Sequence, residues 1–344
     1  MPDYAVLPAP SSNRVYTQAA LDLVCAELTV LAGGALGGRL ADFGRREFAG
    51  VDYVTFAADP LEPADARLLG YASAIYALFE LTVDGLLRPV AVPSPDLYPS
   101  DLLTILKYQG KTNEQFTRLL LTTTAAATDR PGRLAERRMR VLDPVCGRGT
   151  TLNQAAMFGL DAVGIDLDRK DFDLYGPFLT TWLKDNRLKH RATTTPVRRD
   201  HAVLAKRYEA TFARSREAHA AGDTQSVTFY LADTARAAEL VRPGTVDMVV
   251  GDLPYGVRHG SQGTRGSARG PLELLDVALA GWVATLRRGG AMGLAWNTLV
   301  APRRHLEGAL TDAGLEVCTG PGYDDLAHRV DRTIRRDVVL ARKP

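Results

Sequence analysis

The segment 141–152 constrains the fold more than any other part of the chain. It reads Val-Leu-Asp-Pro-Val-Cys-Gly-Arg-Gly-Thr-Thr-Leu, so an apolar strand ends in Asp143 and a Gly147-x-Gly149 turn leads into a helix that starts at Thr150. Glycine is needed where a backbone approaches a ligand too closely for a Cβ atom. In a doubly wound sheet, ligands bind at the carboxyl ends of the strands, beside the first helix. The segment therefore predicts an open α/β sheet with a ligand site at this turn.

The same segment indicates which ligand fits. A dinucleotide site needs a third glycine, in the pattern G-x-G-x-x-G, with a pyrophosphate at the helix N-terminus. Here the third glycine is absent, and an acid before the turn would repel a diphosphate but suits the ammonium group of a methionine moiety. We therefore predict a site for S-adenosylmethionine, whose cofactor-binding residues in this segment are Asp143, Cys146, Gly147, Gly149 and Thr150.

Two further acids follow apolar strands. Asp166 ends the strand Ala-Val-Gly-Ile-Asp about twenty residues after the glycine turn, where a carboxylate can accept hydrogen bonds from ribose hydroxyls. Asp233 ends the strand Phe-Tyr-Leu-Ala-Asp. It could accept from an adenine amino group, or it could cap the helix predicted over 234–240, and the sequence does not separate these two roles.

The sequence Gly-Asp-Leu-Pro-Tyr-Gly, residues 251–256, predicts the catalytic residues Asp252, Leu253, Pro254 and Tyr255. An amino group conjugated to a base is a poor nucleophile because its lone pair is delocalised. A carboxylate and a backbone carbonyl that accept both N–H bonds would localise that lone pair. The proline stiffens the turn, and the tyrosine offers a flat face on which a planar base can stack. The reaction then depends on positioning rather than on a covalent nucleophile or a metal.

From residue 139 onward, strand and helix patterns alternate, which is typical of a mostly parallel, Rossmann-like sheet covered on both faces. The last two strands have no helix between them, so we expect the final strand to be antiparallel. The predicted strands are Met139–Leu142, Ala162–Ile165, Val227–Leu231, Val246–Gly251, Ala291–Ala295, Glu316–Thr319 and Asp337–Ala341.

Residues 1–95 are predicted to form a small α/β unit of ferredoxin-like character. The predicted order is strand 4–7, helix 17–31, strand 51–57, helix 64–81 and strand 86–92, followed by a proline-rich linker at 89–99. Residues 96–135 are predicted to contain the linker and a helix from Glu114 with Asn113 as its N-cap, and residues 136–344 the catalytic domain. The segment 187–222 is an insertion with nine Lys or Arg and three acids, predicted to be helical around 202–221.

Composition narrows the remaining classes. The three cysteines, Cys25, Cys146 and Cys318, form no CxxC pair, and the histidines have no metal-ligand spacing, so we expect neither disulfides nor a metal. The amino-terminal segment lacks the basic start and apolar run of a signal peptide, and charges interrupt every apolar stretch. We therefore expect a cytoplasmic protein without a membrane span. The oligomeric state is not predicted.

The net charge of +2 neither favours nor excludes a polyanionic partner, so the local distribution of charge has to answer that question. The glycine-rich loop after residue 256 carries the predicted substrate-binding residues Arg258, Arg265 and Arg269. A basic loop beside an active site suits a phosphodiester substrate. The insertion adds a second basic group, formed by Arg198, Arg199, Lys206 and Arg207.

The motifs DPVCGRGT and DLPYG resemble those of class I S-adenosylmethionine-dependent methyltransferases that modify exocyclic nitrogens, and especially the tRNA guanine-N2 methyltransferases. The closing sequence 332–342 is similar to the terminal hairpin of that family. The resemblance implies an RNA substrate, and it implies that Thr112 and Asn113, in LKYQGKTNEQF, lie against the methionine end of the cofactor. Two features depart from the family: Leu253 replaces its usual proline, and residues 1–95 have room for the ferredoxin-like unit but not for a THUMP domain as well.

Three alternatives stay open at this point. A DNA adenine-N6 or cytosine-N4 methyltransferase shares both motifs but normally carries a larger target-recognition region. A protein-glutamine methyltransferase usually has N-P-P-Y where this chain has D-L-P-Y. A non-catalytic cofactor-sensing or RNA-binding module is disfavoured by the intact acid at Asp252.

Overall fold

The structure, a computed structural model, describes residues 2–11, 14–106, 111–200, 202–255 and 270–344. Its amino-terminal part forms an antiparallel sheet in the order β2-β3-β1-β4-β5, with two helices. The first four strands and the two helices follow the β-α-β-β-α-β order of a ferredoxin-like unit, and β5 is added at the edge. The elements are β1 (Asp3–Pro8), α1 (Arg14–Gly33), β2 (Leu40–Phe48), β3 (Val51–Ala58), α2 (Pro63–Leu69), β4 (Ile75–Leu81) and β5 (Leu87–Val90).

The ferredoxin-like class is confirmed, but two elements within it were predicted wrongly. The strand β2 was not predicted at all. The helix predicted over 64–81 is in fact α2 followed by β4, because Gly70 ends the helix as its C-cap and the Ile-Tyr-Ala-Leu-Phe-Glu-Leu run pairs with β1 and β5. Isoleucine, tyrosine and phenylalanine favour strands, and here that preference outweighs the helical spacing of the apolar residues.

A helical segment leads to the second sheet, which has the order β13-β15-β12-β11-β6-β7-β10-β9-β8. The strands β6, β7, β10, β11 and β12 are parallel, whereas β15 is antiparallel to β12, as predicted. The helices of this part are α3 (Asp101–Thr104), α4 (Glu114–Ala126), α5 (Thr150–Met157), α6 (Arg169–Asp185), α7 (Arg216–Ala220), α8 (Ala237–Leu240), α9 (Pro271–Thr285) and α10 (Arg303–Asp312). The strands are β6 (Arg140–Asp143), β7 (Asp161–Asp166), β8 (His190–Arg199), β9 (Ala202–Phe212), β10 (Gln225–Leu231), β11 (Val246–Asp252), β12 (Leu286–Asn297), β13 (Glu316–Val317), β14 (His328–Arg329) and β15 (Arg335–Arg342).

Helices cover both faces of this sheet. Buried side chains of α4, α5 and α6 pack on one face, and those of α9 and α10 pack on the other. Asn113 caps α4, as predicted, because its side chain accepts a hydrogen bond from the amide of Phe116 at 3.1 Å. The result is the three-layer α/β architecture that the alternating sequence pattern predicts. Within the described residues, no helix combines the length and the apolar character that crossing a bilayer demands.

The insertion is mainly a β-hairpin, so its predicted helix is wrong. β8 and β9 pair with each other, and β9 adds the hairpin to the edge of the sheet beside β10. In β9, Tyr208, Ala210 and Phe212 are buried at every second position, which is the period of a strand. The helix-forming alanines and charged residues of this segment concealed that alternation, and among its described residues only Arg216–Ala220 form a helix.

The amino-terminal unit and the second sheet share one hydrophobic core. Residues of β1 and α1 belong to the same buried cluster as residues of α4, β6 and β11. Polar bonds cross the same boundary: the Arg118 guanidinium donates to the Gly70 carbonyl oxygen at 2.8 Å and pairs with Asp96 at 3.0 Å. The segment after β5 is also anchored, since the Tyr98 hydroxyl donates to Gln225 on β10 at 3.2 Å.

The close packing of α1 against α4 can be tested at two neighbouring glycines. A Cβ atom on Gly34 would lie 2.2 Å from the carbonyl oxygen of Ala126, whereas one on Gly33 would meet nothing within 4 Å. We expect Gly34→Ala to lower the free energy of unfolding by about 1–3 kcal/mol, the usual cost of overpacking. Gly33→Ala is the matched control and should leave stability unchanged or slightly raised, because alanine favours a helix. Thermal unfolding followed by circular dichroism measures both, and equal melting temperatures would contradict the packing described.

Candidate functional site

Two adjoining cavities lie at the carboxyl ends of the parallel strands. One, of about 330 Å³, is lined on its polar side by Asp166, Asp168, Asp233 and others, and the second, of about 240 Å³, by residues of α4 and the glycine turn. Val145, Asp171 and Asp252 line both, so the cavities meet at these three side chains. The two cavities together are at the scale of small-molecule sites, roughly 300–1,000 Å³. A larger cavity of about 660 Å³ lies at the opposite edge of the sheet, around Arg287 and Lys343, away from every predicted site residue.

Both glycines of the turn have a backbone conformation that favours glycine. Gly147 and Gly149 have φ values of +49° and +79°, in the left-handed region that glycine adopts without strain. Gly149 is also the N-cap of α5, and a Cβ atom there would lie 2.3 Å from the ring of Tyr175. Gly147 lines the smaller cavity and donates its amide to Asp166 Oδ2 at 2.8 Å. The turn is therefore fixed both by its packing on α6 and by the acid at the end of the neighbouring strand.

Asp143 and Asp166 lie close to this turn and are largely buried. Asp143 is 3% exposed, lines the smaller cavity and accepts the amide of Val145 at 3.0 Å. Burial raises the pKa of Asp143 to about 7, against the lowering effect of the Thr151 hydroxyl. Burial also raises the pKa of Asp166, although its two oxygens accept the amides of Gly147 and Asp168. A cationic ligand in the cavities would compensate the charge of both carboxylates.

Asp233 has one of the two roles between which the sequence did not choose, that of a cap. Its side chain accepts the amide of Ala235 at 3.0 Å and caps a short 3-10 turn over Thr234–Arg236. It also lines the 330 Å³ cavity, together with Asp166. The capping role is therefore observed, and the position is compatible with a ligand contact.

Asp252 ends β11 and is the centre of a cluster of polar side chains. Its Oδ2 accepts a hydrogen bond from the Thr112 hydroxyl at 2.9 Å, and its Oδ1 accepts one from the Tyr255 hydroxyl. Arg336 on β15 lies with Nη2 3.5 Å from Oδ2, and its Nε donates to the Tyr255 hydroxyl at 2.5 Å. Burial and the Asp252 carboxylate hold the pKa of Tyr255 well above its usual value. The tyrosine therefore keeps its proton, and its hydroxyl donates a hydrogen bond to the acid. The carboxylate is thereby fixed at the boundary of the two cavities.

Most of the predicted cofactor residues line the two cavities together, namely Thr112, Asp143, Cys146, Gly147, Thr150, Asp166 and Asp233. Asn113 is separate from them: it caps α4, donates to Ser11 and lines a small cavity with His328. Leu253 contributes no side chain to the site, because it is buried in the core while its amide donates to Ala295 at 2.8 Å. Arg258, Arg265 and Arg269 lie outside the described residues.

Several residues of the site were not predicted, among them Val145, Asp171 and Arg336. Val145 and Asp171 line both cavities, and Asp171 is held by an ion pair with Arg148 at 2.7 Å. Arg336 belongs to the closing sequence 332–342, but nothing in its local pattern assigns it to the active site. It is the pairing of β15 with β12, with Arg336 opposite Asn297, that brings its side chain to Asp252. No group of three His, Cys, Asp or Glu side chains in the described ranges is arranged to hold a metal ion.

Residues 130–268 match the model of the family UPF0020, described as an RMKL-like methyltransferase domain. The matched range holds the glycine turn, Asp166, Asp233 and residues 252–255, and the match supports a class I methyltransferase. It covers less than half of the chain. No curated protein sequence matches the chain.

Solved structures give distant likenesses. A 1,6-didemethyltoxoflavin-N1-methyltransferase from Burkholderia thailandensis is 17% identical, with a TM-score of 0.35 over 60% of this chain and 72% of that chain. A geranyl diphosphate methyltransferase in complex with S-adenosylmethionine is 12% identical, with a TM-score of 0.39 over 67% and 86%. A Pyrococcus horikoshii protein provisionally assigned as an RNA methyltransferase is 13% identical, with a TM-score of 0.37 over 72% and 90%. Likenesses at these identities and TM-scores carry no argument about activity or substrate.

The burial of Asp143 predicts a dependence of stability on pH. Its pKa is raised on folding, so the folded protein binds a proton that the unfolded chain releases at lower pH. The free energy of unfolding should therefore fall by a few kcal/mol between about pH 4 and pH 7, at about 1.4 kcal/mol for each unit of pKa difference. Chemical denaturation at several pH values measures this fall.

Asp143→Asn should reduce that fall, because the amide does not titrate. Glu27 contributes to the same pH range, since burial raises its pKa to about 7 against the hydrogen bonds from Ser73. Glu27→Gln is therefore the matched variant, and the double variant should have the flattest profile. An Asp143→Asn curve parallel to that of the wild type would contradict the burial described for Asp143.

Proposed function

We propose that this protein is an S-adenosylmethionine-dependent N-methyltransferase that acts on the exocyclic amino group of a nucleic-acid base, with guanine N2 in tRNA as the substrate. The observation that carries the proposal is the position of Asp252. The acid of the Asp-Leu-Pro-Tyr motif lies where the two cavities at the strand ends meet. An acceptor for the N–H groups of an amine thus borders the space in which a cofactor fits.

The lining of the cavities fits the cofactor. Asp143 would face the ammonium group, with Thr112 and Thr150 beside it, and Asp166 has further lone pairs for ribose hydroxyls besides those that accept its two amides. The many carboxylates around both cavities favour a ligand that carries positive charge. When bound, S-adenosylmethionine supplies a methyl group made electrophilic by a positively charged sulfur. The same lining would repel the diphosphate of a dinucleotide.

Asp252 would act on the amine of the substrate. Its carboxylate accepts an N–H bond, which localises the nitrogen lone pair for attack. The amine gains a methyl group and loses one proton, and the Asp252 carboxylate is placed to take that proton and pass it to solvent. Pro254 is exposed at the rim of the 330 Å³ cavity, where it can contact a base. The chain therefore contributes positioning and a proton acceptor, and no covalent step on a side chain is needed.

Replacing the acid tests this function. We expect Asp252→Asn to lower kcat on unmodified tRNA by roughly 10²–10³-fold, the effect of removing one preorganised electrostatic partner. Its dissociation constant for S-adenosylhomocysteine, measured by calorimetry, should stay within about twofold of the wild type, because Asp143 and Asp166 remain. Mass spectrometry of nucleosides after the reaction identifies the product.

Asp276→Asn on α9 is the control, since it makes the same exchange at an exposed position and should retain full activity. N2-methylguanosine in tRNA supports the proposal. N6-methyladenine or N4-methylcytosine in DNA, or methylglutamine in protein, would refute tRNA guanine as the substrate. The same products would still show that the protein is a methyltransferase. Full activity of Asp252→Asn would refute the role of the acid.

The β8–β9 hairpin supports a polyanionic substrate. Lys206 is opposite Leu231, the last residue of β10, so residues 202–205 extend past the end of that strand. Leu231 is in turn opposite Asp166, so the tip of the hairpin projects beyond the edge where the cavities lie. Its basic side chains form surface ion pairs, Arg199 with Glu239 at 3.6 Å and Lys206 with Asp173 at 3.4 Å. Exposed pairs of this kind contribute little, so phosphates can replace the acids at small cost.

If the hairpin binds phosphates, the affinity for tRNA must fall as the salt concentration rises. Replacing the arginines of the hairpin must then reduce this dependence. We expect the double variant Arg198→Glu/Arg199→Glu to bind tRNA more weakly and to flatten the slope of log K against log salt by about 1.5, at roughly 0.7–0.9 per phosphate contact. Filter binding between low and moderate salt measures the slope. Arg130→Glu/Arg138→Glu, at exposed positions near the opposite edge of the sheet, is the control. Equal slopes for the wild type and the hairpin variant would show that the hairpin does not bind the phosphates of tRNA.

A further inference from the structure

Arg336 is a charged side chain that is enclosed almost completely by the active-site elements. It is 4% exposed and lies on β15, the strand that pairs with β12 beside the catalytic turn. Its guanidinium carbon is 4.1 Å from the centre of the Phe116 ring on α4 and 5.3 Å from the centre of the Tyr255 ring. Both separations are within the range of cation–π contacts, which are strongest where water is excluded. The guanidinium is therefore held by two rings and has little freedom to turn.

The polar contacts of Arg336 form a closed ring with the two motif residues. Arg336 Nε donates to the Tyr255 hydroxyl at 2.5 Å, that hydroxyl donates to Asp252 Oδ1, and Arg336 Nη2 lies 3.5 Å from Asp252 Oδ2. Thr112 adds a hydrogen bond to Oδ2 at 2.9 Å from outside the ring. Both oxygens of the acid thus have fixed partners, and the plane of the carboxylate is determined by them.

This ring also explains how a charge is kept in a buried place. Burial disfavours a guanidinium, but Asp252 and Tyr255 compensate and the pKa of Arg336 is raised overall. The arginine in turn compensates the carboxylate on which the proposed reaction depends. Removing one partner of a buried pair leaves the other uncompensated, which costs far more than the pair contributes.

We propose that Arg336 is a positioning residue for the methyl transfer: through the Tyr255 hydroxyl and its own contact with Asp252, it fixes the carboxylate that receives the amine. The proposal rests on the function proposed above. It does not require Arg336 to touch either substrate or cofactor. It predicts that the loss of Arg336 lowers the rate of the chemical step while the cofactor site stays intact.

The test compares Arg336→Met, Arg336→Lys and Tyr255→Phe with Arg335→Met, the exposed neighbour on the same strand. We expect Arg336→Met to lower kcat by about 10–100-fold, the range for hydrogen bonds to a charged group. The dissociation constant for S-adenosylhomocysteine should stay within about twofold of the wild type. Arg336→Lys keeps the charge without the fork of the guanidinium, and should recover part of the rate but not all of it. Arg335→Met should behave as the wild type.

A second readout does not depend on turnover. The chain has 12 tyrosines, and 3-fluorotyrosine incorporated at all of them gives a ¹⁹F spectrum in which the Tyr255 signal is the one missing from Tyr255→Phe. In Arg336→Met that signal should move, because the hydroxyl loses its donor, whereas Arg335→Met should leave it unchanged. If the chain methylates no amine, the proposed function fails while this spectrum still tests the contact.

Three results would overturn the proposal. One is a kcat for Arg336→Met within about threefold of the wild type, well below the loss expected for a charged hydrogen bond. Another is a loss of kcat matched by an equal loss of cofactor affinity, which indicates general damage. The third is an unshifted Tyr255 signal in Arg336→Met. If Arg336→Met does not fold, the variants Arg336→Lys and Tyr255→Phe test the proposal instead. A wild-type kcat in both would refute the positioning role of Arg336.

Discussion

The parallel pairing of β7, β6 and β11 is the constraint on which the site depends. Each of these strands ends in an acid, and the pairing registers bring Asp166, Asp143 and Asp252 to the same edge of the sheet. Carboxylates brought together in this way repel one another and lose solvation. The structure offsets that cost with backbone amides at Asp143 and Asp166 and with an arginine at Asp252. A ligand that carries positive charge would complete the compensation.

The sequence predicts the carboxyl ends of these strands well, because the motifs that form them are contiguous in the chain. A strand that ends in an acid, a glycine turn and a helix start are contiguous in 141–152, and the alternation of strands with helices predicts that the strands are mostly parallel. The left-handed conformations of Gly147 and Gly149 and the capping by Asn113 agree with what those residue types favour. The functional class could be proposed for the same reason.

Other features could not be predicted because they depend on which strands become neighbours. The hairpin β8–β9 looked helical, since its alanines and charged residues favour a helix in isolation and only pairing with β10 makes it a strand. Arg336 is nearly two hundred residues from the glycine turn and reaches Asp252 only because β15 folds back beside β12. Tyr255 was predicted as a stacking surface, and its hydroxyl bond to Asp252 follows from the same tertiary arrangement.

The position of β8 at the end of the sheet has a consequence unrelated to binding. An edge strand presents backbone donors and acceptors with which another chain can pair, and natural sheets protect such strands with proline and with charged side chains. β8 contains Pro196 and ends in Arg198 and Arg199, and most of its residues are exposed. The basic residues of the hairpin therefore also protect the sheet from edge-to-edge aggregation. Replacing these arginines by apolar residues would therefore expose an unprotected edge strand, whether or not the hairpin binds a partner.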